Sequence, residues 1–272
     1  MQAQNIMKKP IGILHNSSIS EVIRKLLENN VSRLVVLKGG KAIGIITEKD
    51  IGFFLFAEST MQGLDRIPLE RIMNKIEYVK MDDSLEDCAK IMMDKKTSSL
   101  AIGNENLLQG IFTKTDLVKY FFENNSGKYK ISDYMTHDYI FTHTAAPLFK
   151  VVRKMLENKV SRIIVKNQPE EPVGIVSFRD LFRISLELGT DDEDTLSEKI
   201  RRGFLSEEGF GGVSLARNVM SKGIITVKSN VDLSEGCKLM IENNVSGLAV
   251  LDGNNALDGI ISKTDITRAL AS

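Results

Sequence analysis

Apolar positions along the chain follow a helical stripe, then two short apolar runs, four times over. The stripes are Ile19, Val22, Ile23, Leu26 and Leu27; Leu85, Ala89, Met92 and Met93; Leu148, Val151, Val152 and Met155; and Leu233, Cys237, Met240 and Ile241. Each has the three- and four-residue spacing of one buried helix face. Ser17 or Ser18 can cap the first helix, with Glu21 in its opening turn, and Asn29-Asn30 ends it. The runs that follow, such as VSRLVVLKGGKAIGIITEKD from Val31, read as strand, turn, strand and the start of a second helix. Short apolar segments such as Ile11–Leu14 precede the stripes, giving β-α-β-β-α for each copy.

The copies keep register. A glycine lies six residues before an aspartate in each: Gly44 and Asp50, Gly110 and Asp116, Gly174 and Asp180, Gly259 and Asp265. Methionines open them at Met7, Met73, Met135 and Met220. The fold class is therefore α/β (α+β), with repeats over 7–60, 70–124, 130–188 and 215–271 and a connector over 189–214. Two helices and three short strands close no core alone, so the repeats are expected to pair. Ser126 and Gly127 mark the expected boundary between two halves. The connector's DDED run and GFGG read as loop, and GFGG is not a dinucleotide fingerprint.

Composition narrows the function. Lys+Arg and Asp+Glu both number 36, which argues against a broad duplex-binding face. No apolar run reaches the roughly 18–20 residues of a membrane span. The N-terminal segment has no signal-type apolar region, so a cytoplasmic protein is expected. Two cysteines, Cys88 and Cys237, fall on helical stripes and read as buried apolar residues. His15, His137 and His143 have no metal-ligand spacing. No nucleophile–base pair, phosphate loop or carboxylate pair stands out, so no catalytic role is expected and no cofactor is required.

Thr47-Glu-Lys-Asp50 and its copies Thr113–Asp116, Ser177–Asp180 and Ser262–Asp265 read first as helix capping boxes. Glutamate is the usual partner in that box. Aspartate at all four sites also suits a ribose diol, a short charged acceptor for two adjacent hydroxyls.

The opening Met, the helix ending before Val-Ser, the Gly-Ile-Ile or Gly-Ile-Val strand and the Thr/Ser-x-x-Asp together resemble CBS domains, the motif named after cystathionine β-synthase. The resemblance covers nearly the whole chain except most of the connector. It implies tandem pairing about a pseudo-twofold axis, two pairs in a disc, and adenosine-containing ligands (AMP, ADP, ATP or S-adenosylmethionine) in clefts between paired domains. In layout the chain resembles the γ subunit of AMP-activated kinase and stand-alone archaeal and bacterial CBS proteins.

The resemblance assigns ribose to Asp50, Asp116, Asp180 and Asp265, with Thr47, Thr113, Ser177 and Ser262 beside the sugar or phosphate. It places the adenine edge at Val31-Ser32, Val160-Ser161 and Val245-Ser246, where repeat two departs with Thr97-Ser98. Ile11 and Ile13 join the lining of repeat one, and His137 lies near the corresponding segment of repeat three. Arg33 and Arg162 follow the serine in repeats one and three only, where the family reaches phosphates. A guanidinium fork suits phosphate oxygens, which ranks AMP, ADP or ATP above S-adenosylmethionine. Lys114 and Lys263, with Lys49 and Arg179, add positive charge near helix N-termini or are simply solvated.

A regulatory sensor of adenine nucleotides, acting on an unidentified partner protein, is the leading expectation; a homodimer of discs would fit it. An interaction scaffold with vestigial clefts, using the 186–214 stretch to hold a partner, is the alternative, and a nucleotide hydrolase is disfavoured.

Overall fold

The structure is a computed structural model that describes residues 1–57, 66–168, 170–188 and 215–272. The connector over 189–214, and the partner-docking role considered for it, lie outside the described residues.

Repeat one runs β1 (Gly12–Leu14), α1 (Ile19–Glu28), β2 (Arg33–Lys38), β3 (Lys41–Thr47) and α2 (Glu48–Ala57). Repeat two has β4 (Tyr78–Val79), α3 (Leu85–Asp94), β5 (Ser99–Asn104), β6 (Leu107–Thr113) and α4 (Lys114–Asn124). Repeat three begins with the one-turn α5 (Ile131–Tyr134), then β7 (Phe141–His143), α6 (Leu148–Glu157), β8 (Arg162–Lys166), β9 (Pro172–Ser177) and α7 (Phe178–Leu188). Repeat four has α8 (Ala216–Val219), β10 (Ser221–Lys222), β11 (Thr226–Lys228), α9 (Leu233–Glu242), β12 (Gly247–Leu251), β13 (Leu257–Ser262) and α10 (Lys263–Ala271). In every repeat the strand before the long helix pairs in parallel with the strand after it, and the last two strands are antiparallel, the β-α-β-β-α pattern the sequence predicts. Ser18 caps α1, accepting from the Glu21 amide while the Glu21 carboxylate accepts from the Ser18 amide.

The helix preceding each middle strand ends the same way. Asn30, Lys96, Lys159 and Asn244 adopt left-handed backbone, with φ between 48° and 54°. The next amide then turns back onto the helix: Val31 to Leu26, Thr97 to Met92, Val160 to Met155 and Val245 to Met240, at 3.0–3.1 Å. This is a Schellman stop, which satisfies helix carbonyls left without partners. The valine or threonine after the helix thus has a structural role in closing the turn.

The repeats exchange their leading segments in tandem. Lys8 bridges to Ile111 of repeat two, and Asn74 bridges to Ile45 of repeat one. Thr136 bridges to Ile260 of repeat four, while β10 pairs with β9 of repeat three. The repeated methionines and glycines meet here. A Cβ on Gly44 would sit 2.4 Å from the Met73 sulfur, and one on Gly110 would sit 2.8 Å from that of Met7. At Gly174 and Gly259 the added atom would meet the Ser221 and Thr136 carbonyls at 2.6 Å. Only a residue without a side chain admits the crossing segment at this distance.

Two compact units result. One comprises Met1–Pro10, Ile76–Tyr139 and Ile224–Ser272, so it holds repeats two and four. The other comprises Ile11–Lys75 and Ile140–Gly223, with repeats one and three. The expected boundary at Ser126 and Gly127 is therefore corrected: both residues lie inside the 2/4 unit, where the Gly127 amide donates to Asp232. Shared cores override sequence adjacency. Leu85, Cys88, Leu117, Phe121, Cys237, Ile266 and Leu270 pack in the 2/4 unit. Ile23, Leu26, Ile51, Leu55, Val151, Met155, Phe178 and Phe182 do so in the 1/3 unit. Burial pushes the Cys88 and Cys237 thiols up to about 12, in keeping with apolar packing roles. No helix among the described residues is long and apolar enough to cross a membrane.

Candidate functional site

The strand–helix junction of each repeat gathers the predicted serine, threonine or serine, and aspartate. Hairpin register sets Arg33 opposite Thr47, Ser99 opposite Thr113, Arg162 opposite Ser177 and Gly247 opposite Ser262. The first amide of the closing helix then donates to the serine carbonyl one residue before the strand. Glu48 donates to Ser32, Lys114 to Ser98, Phe178 to Ser161 and Lys263 to Ser246, at 3.1–3.3 Å. The Val31 amide and the Ser32 carbonyl are both committed to the fold, as are their copies.

All four aspartates complete the capping box. The amides of Thr47, Thr113, Ser177 and Ser262 donate to Oδ2 of Asp50, Asp116, Asp180 and Asp265 at 2.8–2.9 Å. The capping hydroxyls donate to the same oxygens. Each carboxylate is therefore pinned with Oδ1 as its remaining acceptor.

The outer oxygens differ. Asp116 Oδ1 pairs with the Lys8 ammonium, and Asp265 Oδ1 accepts from Arg268 at 2.9 Å. Asp180 Oδ1 accepts from the Ser221 hydroxyl at 2.6 Å. Asp50 Oδ1 meets no such partner among the described residues, and Asp50 is half-buried where Asp116 and Asp265 are buried. Lys8 and Ser221 were missed from the sequence. A signal existed: each directly follows the opening methionine of its repeat, and the segment exchange carries that position to the neighbouring repeat's aspartate.

Basic residues also divide by unit. In the 2/4 unit Lys114 donates to Thr264 at 3.2 Å and Lys263 donates to Thr115 at 3.0 Å, a reciprocal crossing of two helix N-termini. In the 1/3 unit Arg179 is an internal brace. It donates to the Glu48 carboxylate at 2.6 Å, to the Asn30 side chain and to the Val31 carbonyl at 2.7 Å. Arg33 donates to its neighbour Ser32, and both Arg33 and Arg162 act electrostatically on Glu48. Burial raises the Glu48 pKa, with the three guanidinium groups pulling the other way. Lys49 lies over the Phe53 ring.

Ile13 is buried in the 1/3 core and Ile11 packs half-buried against it. His137 is exposed and bonds Asp258. Two of the surface hollows lie within single units. One of about 260 Å³ is lined by residues such as Met81, Asn104 and Leu107, and one of about 380 Å³ by His15, Arg66 and Glu70. Neither takes in a predicted ligand residue. Among the described residues no three His, Cys, Asp or Glu side chains cluster to hold a metal ion.

The motif repetition has a counterpart in known proteins. The family described as CBS domain matches residues 3–55, 69–123, 131–187 and 216–272. The chain belongs to the CBS-domain family. Protein MJ1225 of Methanocaldococcus jannaschii is 25% identical over 284 aligned residues, spanning 99% of this chain and 97% of that one. The crystal structure of MJ1225, described as a candidate archaeal homologue of γ-AMPK, overlays with a TM-score of 0.82 at 24% identity and covers both chains fully. A protein from Pyrococcus horikoshii gives a TM-score of 0.65 at 20% identity, over 99% of this chain and all of that one. These likenesses establish four CBS repeats and their fold. The CBS matches leave out the stretch 188–215, which takes in the connector.

Proposed function

We propose that this CBS protein is a non-catalytic sensor that binds adenosine phosphates (AMP, ADP or ATP) through its strand–helix junctions and thereby changes how it engages a partner protein. The observation that carries the reading is Asp50. Its carboxylate is fixed by Thr47 through Oδ2 and presents Oδ1, the geometry a ribose diol needs from a preorganised acceptor. Arg33 and Arg162 supply guanidinium groups in the same unit, which favours a phosphorylated ligand over S-adenosylmethionine. Sensing requires that the ligand bind one arrangement of the protein more tightly than another.

Calorimetric titration and thermal unfolding with AMP, ADP, ATP, S-adenosylmethionine and GTP test this. An adenosine phosphate at about one hundred times its dissociation constant should add about 2.7 kcal/mol of stability per site. Asp50→Ala should abolish the largest response while Asp265→Ala leaves it. A flat response to every adenosine compound would sink the reading.

A second reading rests on Asp116, Asp180 and Asp265, whose outer oxygens are already engaged by Lys8, Ser221 and Arg268. It makes those three junctions structural and the protein chiefly an interaction scaffold. Partner capture insensitive to nucleotide distinguishes it.

A further inference from the structure

Glu48 stands where the other repeats carry Lys114, Phe178 and Lys263, as the first residue of a closing helix. Acidic residues in a first turn are common, because they complement the helix dipole. Glu48 is set apart by what surrounds it. Its side chain is 16% exposed and Arg179, at 24%, donates Nε–H to it at 2.6 Å. Arg179 is itself fixed by Asn30 and the Val31 carbonyl, so the guanidinium cannot turn away without losing those bonds. Arg33 and Arg162 add two further positive charges from the middle strands β2 and β8, and Asp180 acts on Arg162. The nearby acids Asp50 and Asp180 already serve their capping boxes through Oδ2. Glu48 is thus a largely buried carboxylate bound by the Arg179 guanidinium of α7, with the positive charges of Arg33 on β2 and Arg162 on β8 acting on it.

We propose that Glu48 is a stand-in anion: it occupies the arginine cluster of the 1/3 unit in the absence of ligand, and sets how much negative charge a phosphorylated ligand can bring there. This deepens, and rests on, the reading that the unit takes an adenosine phosphate. A phosphate oxygen recruited by Arg179 must displace the Glu48 carboxylate or sit beside it. Displacement breaks one charge-assisted bond for each one formed, and coexistence sets two anions side by side in a poorly solvated site. Either way Glu48 weakens binding more as ligand charge grows, so it discriminates against the more highly phosphorylated form. The 2/4 unit has no such carboxylate at the corresponding positions: both carry lysine there.

The test titrates inorganic pyrophosphate, adenosine, AMP and ATP into the full-length protein and into Glu48→Gln, which keeps the shape and an acceptor for Arg179. Pyrophosphate should bind Glu48→Gln at least about tenfold tighter, since tenfold is the scale of one like-charge contact removed when screening approaches that of bulk water. ATP should gain more than AMP, and adenosine should be unchanged. Glu48→Ala, which removes the charge without adding another, gives the same readout should the glutamine variant fail to fold. Unchanged or weakened pyrophosphate binding in a folded variant overturns the proposal. So does an equal gain for adenosine, which would mean relief of crowding and not of charge. Pyrophosphate gain without any preference for adenosine compounds would uphold Glu48 and reject the nucleotide reading. Equal ATP binding by both proteins would do the reverse.

Discussion

The 1/3 and 2/4 units hold the same four-residue junction and fill it differently. In the 2/4 unit the two closing helices begin alike, Lys114-Thr115 and Lys263-Thr264, and each lysine reaches the other helix's threonine. In the 1/3 unit they begin Glu48-Lys49 and Phe178-Arg179, one apolar and one acidic first residue. Yet Asp50, Asp116, Asp180 and Asp265 keep the same capping box. The fold therefore constrains the cap and the third helical residue, where backbone donors must be satisfied. It leaves the first two helical residues open to other demands. One unit uses them for a symmetric pair of cations and the other for an aromatic core and an ion pair.

The aromatic side of that contrast gives the largest expected effect. Phe178 is 1% exposed and packs with Phe53 at 5.6 Å, Phe56 at 6.1 Å and Phe182 at 6.3 Å between ring centroids. Phe178→Ala should cost about 3–5 kcal/mol in urea unfolding, as large aromatic deletions in cores do. Lys263→Ala, at the corresponding position of the other unit, removes the part-buried hydrogen bond to Thr115 and should cost about 0.5–1.5 kcal/mol. Equal losses would break the comparison.

Glycines inside helices sharpen it. A Cβ on Gly52 would lie 2.5 Å from the Phe178 ring, whose position the whole aromatic cluster fixes. A Cβ on Gly236 would crowd the far methyl of Ile131, at 2.7 Å, and touch Leu248 at an ordinary 3.9 Å. Gly52→Ala should cost about 1–3 kcal/mol from overpacking, beyond what better helix propensity returns. Gly236→Ala should be near neutral, since a terminal methyl can rotate aside. Thermal unfolding of the two variants side by side reads the difference.

Some of this was legible in the chain itself. Periodicity and register gave the β-α-β-β-α repeats and the box residues, because backbone satisfaction imposes one local pattern wherever it recurs. The joining of repeat one with three was not legible. It depends on Phe178 and Gly52 meeting across about 125 residues, and neither breaks its local helical pattern. The segment exchange was half visible: the methionines and glycines were in register, but only the structure shows that Met73 fills the space above Gly44 and Met7 that above Gly110. Arg179, which the sequence leaves as added charge near a helix start or a solvated residue, is tied to repeat one by three hydrogen bonds.

That brace carries the next prediction. Arg179→Ala leaves the Glu48 carboxylate with its nearest partner gone, and should cost about 1–3 kcal/mol, less than a fully buried pair because both side chains keep some solvent. The pH dependence has a definite sign. Burial raises the Glu48 pKa above its ordinary 4.5, so in the window just above that value the native state binds more protons than the unfolded chain. Glu48's contribution is therefore present below pH 4.5 and is lost as pH rises through the native value. Glu48→Gln should remove that fall from a pH series of unfolding midpoints. An unchanged fall in the variant would mean another group is responsible.

The smallest effect should be common to both units. Lys96 and Lys159 are exposed and hold φ of 52° and 54° at the Schellman stops of repeats two and three. A side chain in left-handed backbone carries a strain that glycine lacks, while glycine enters the fold from a freer unfolded chain. The first term wins at such stops, so Lys96→Gly and Lys159→Gly should each stabilise by about 0.5–1 kcal/mol. Matched gains in differential scanning calorimetry would place the divergence between units in the first two residues of the closing helices, leaving the turns equivalent. A gain confined to Lys159 would instead extend the difference into the turns that position Thr97 and Val160.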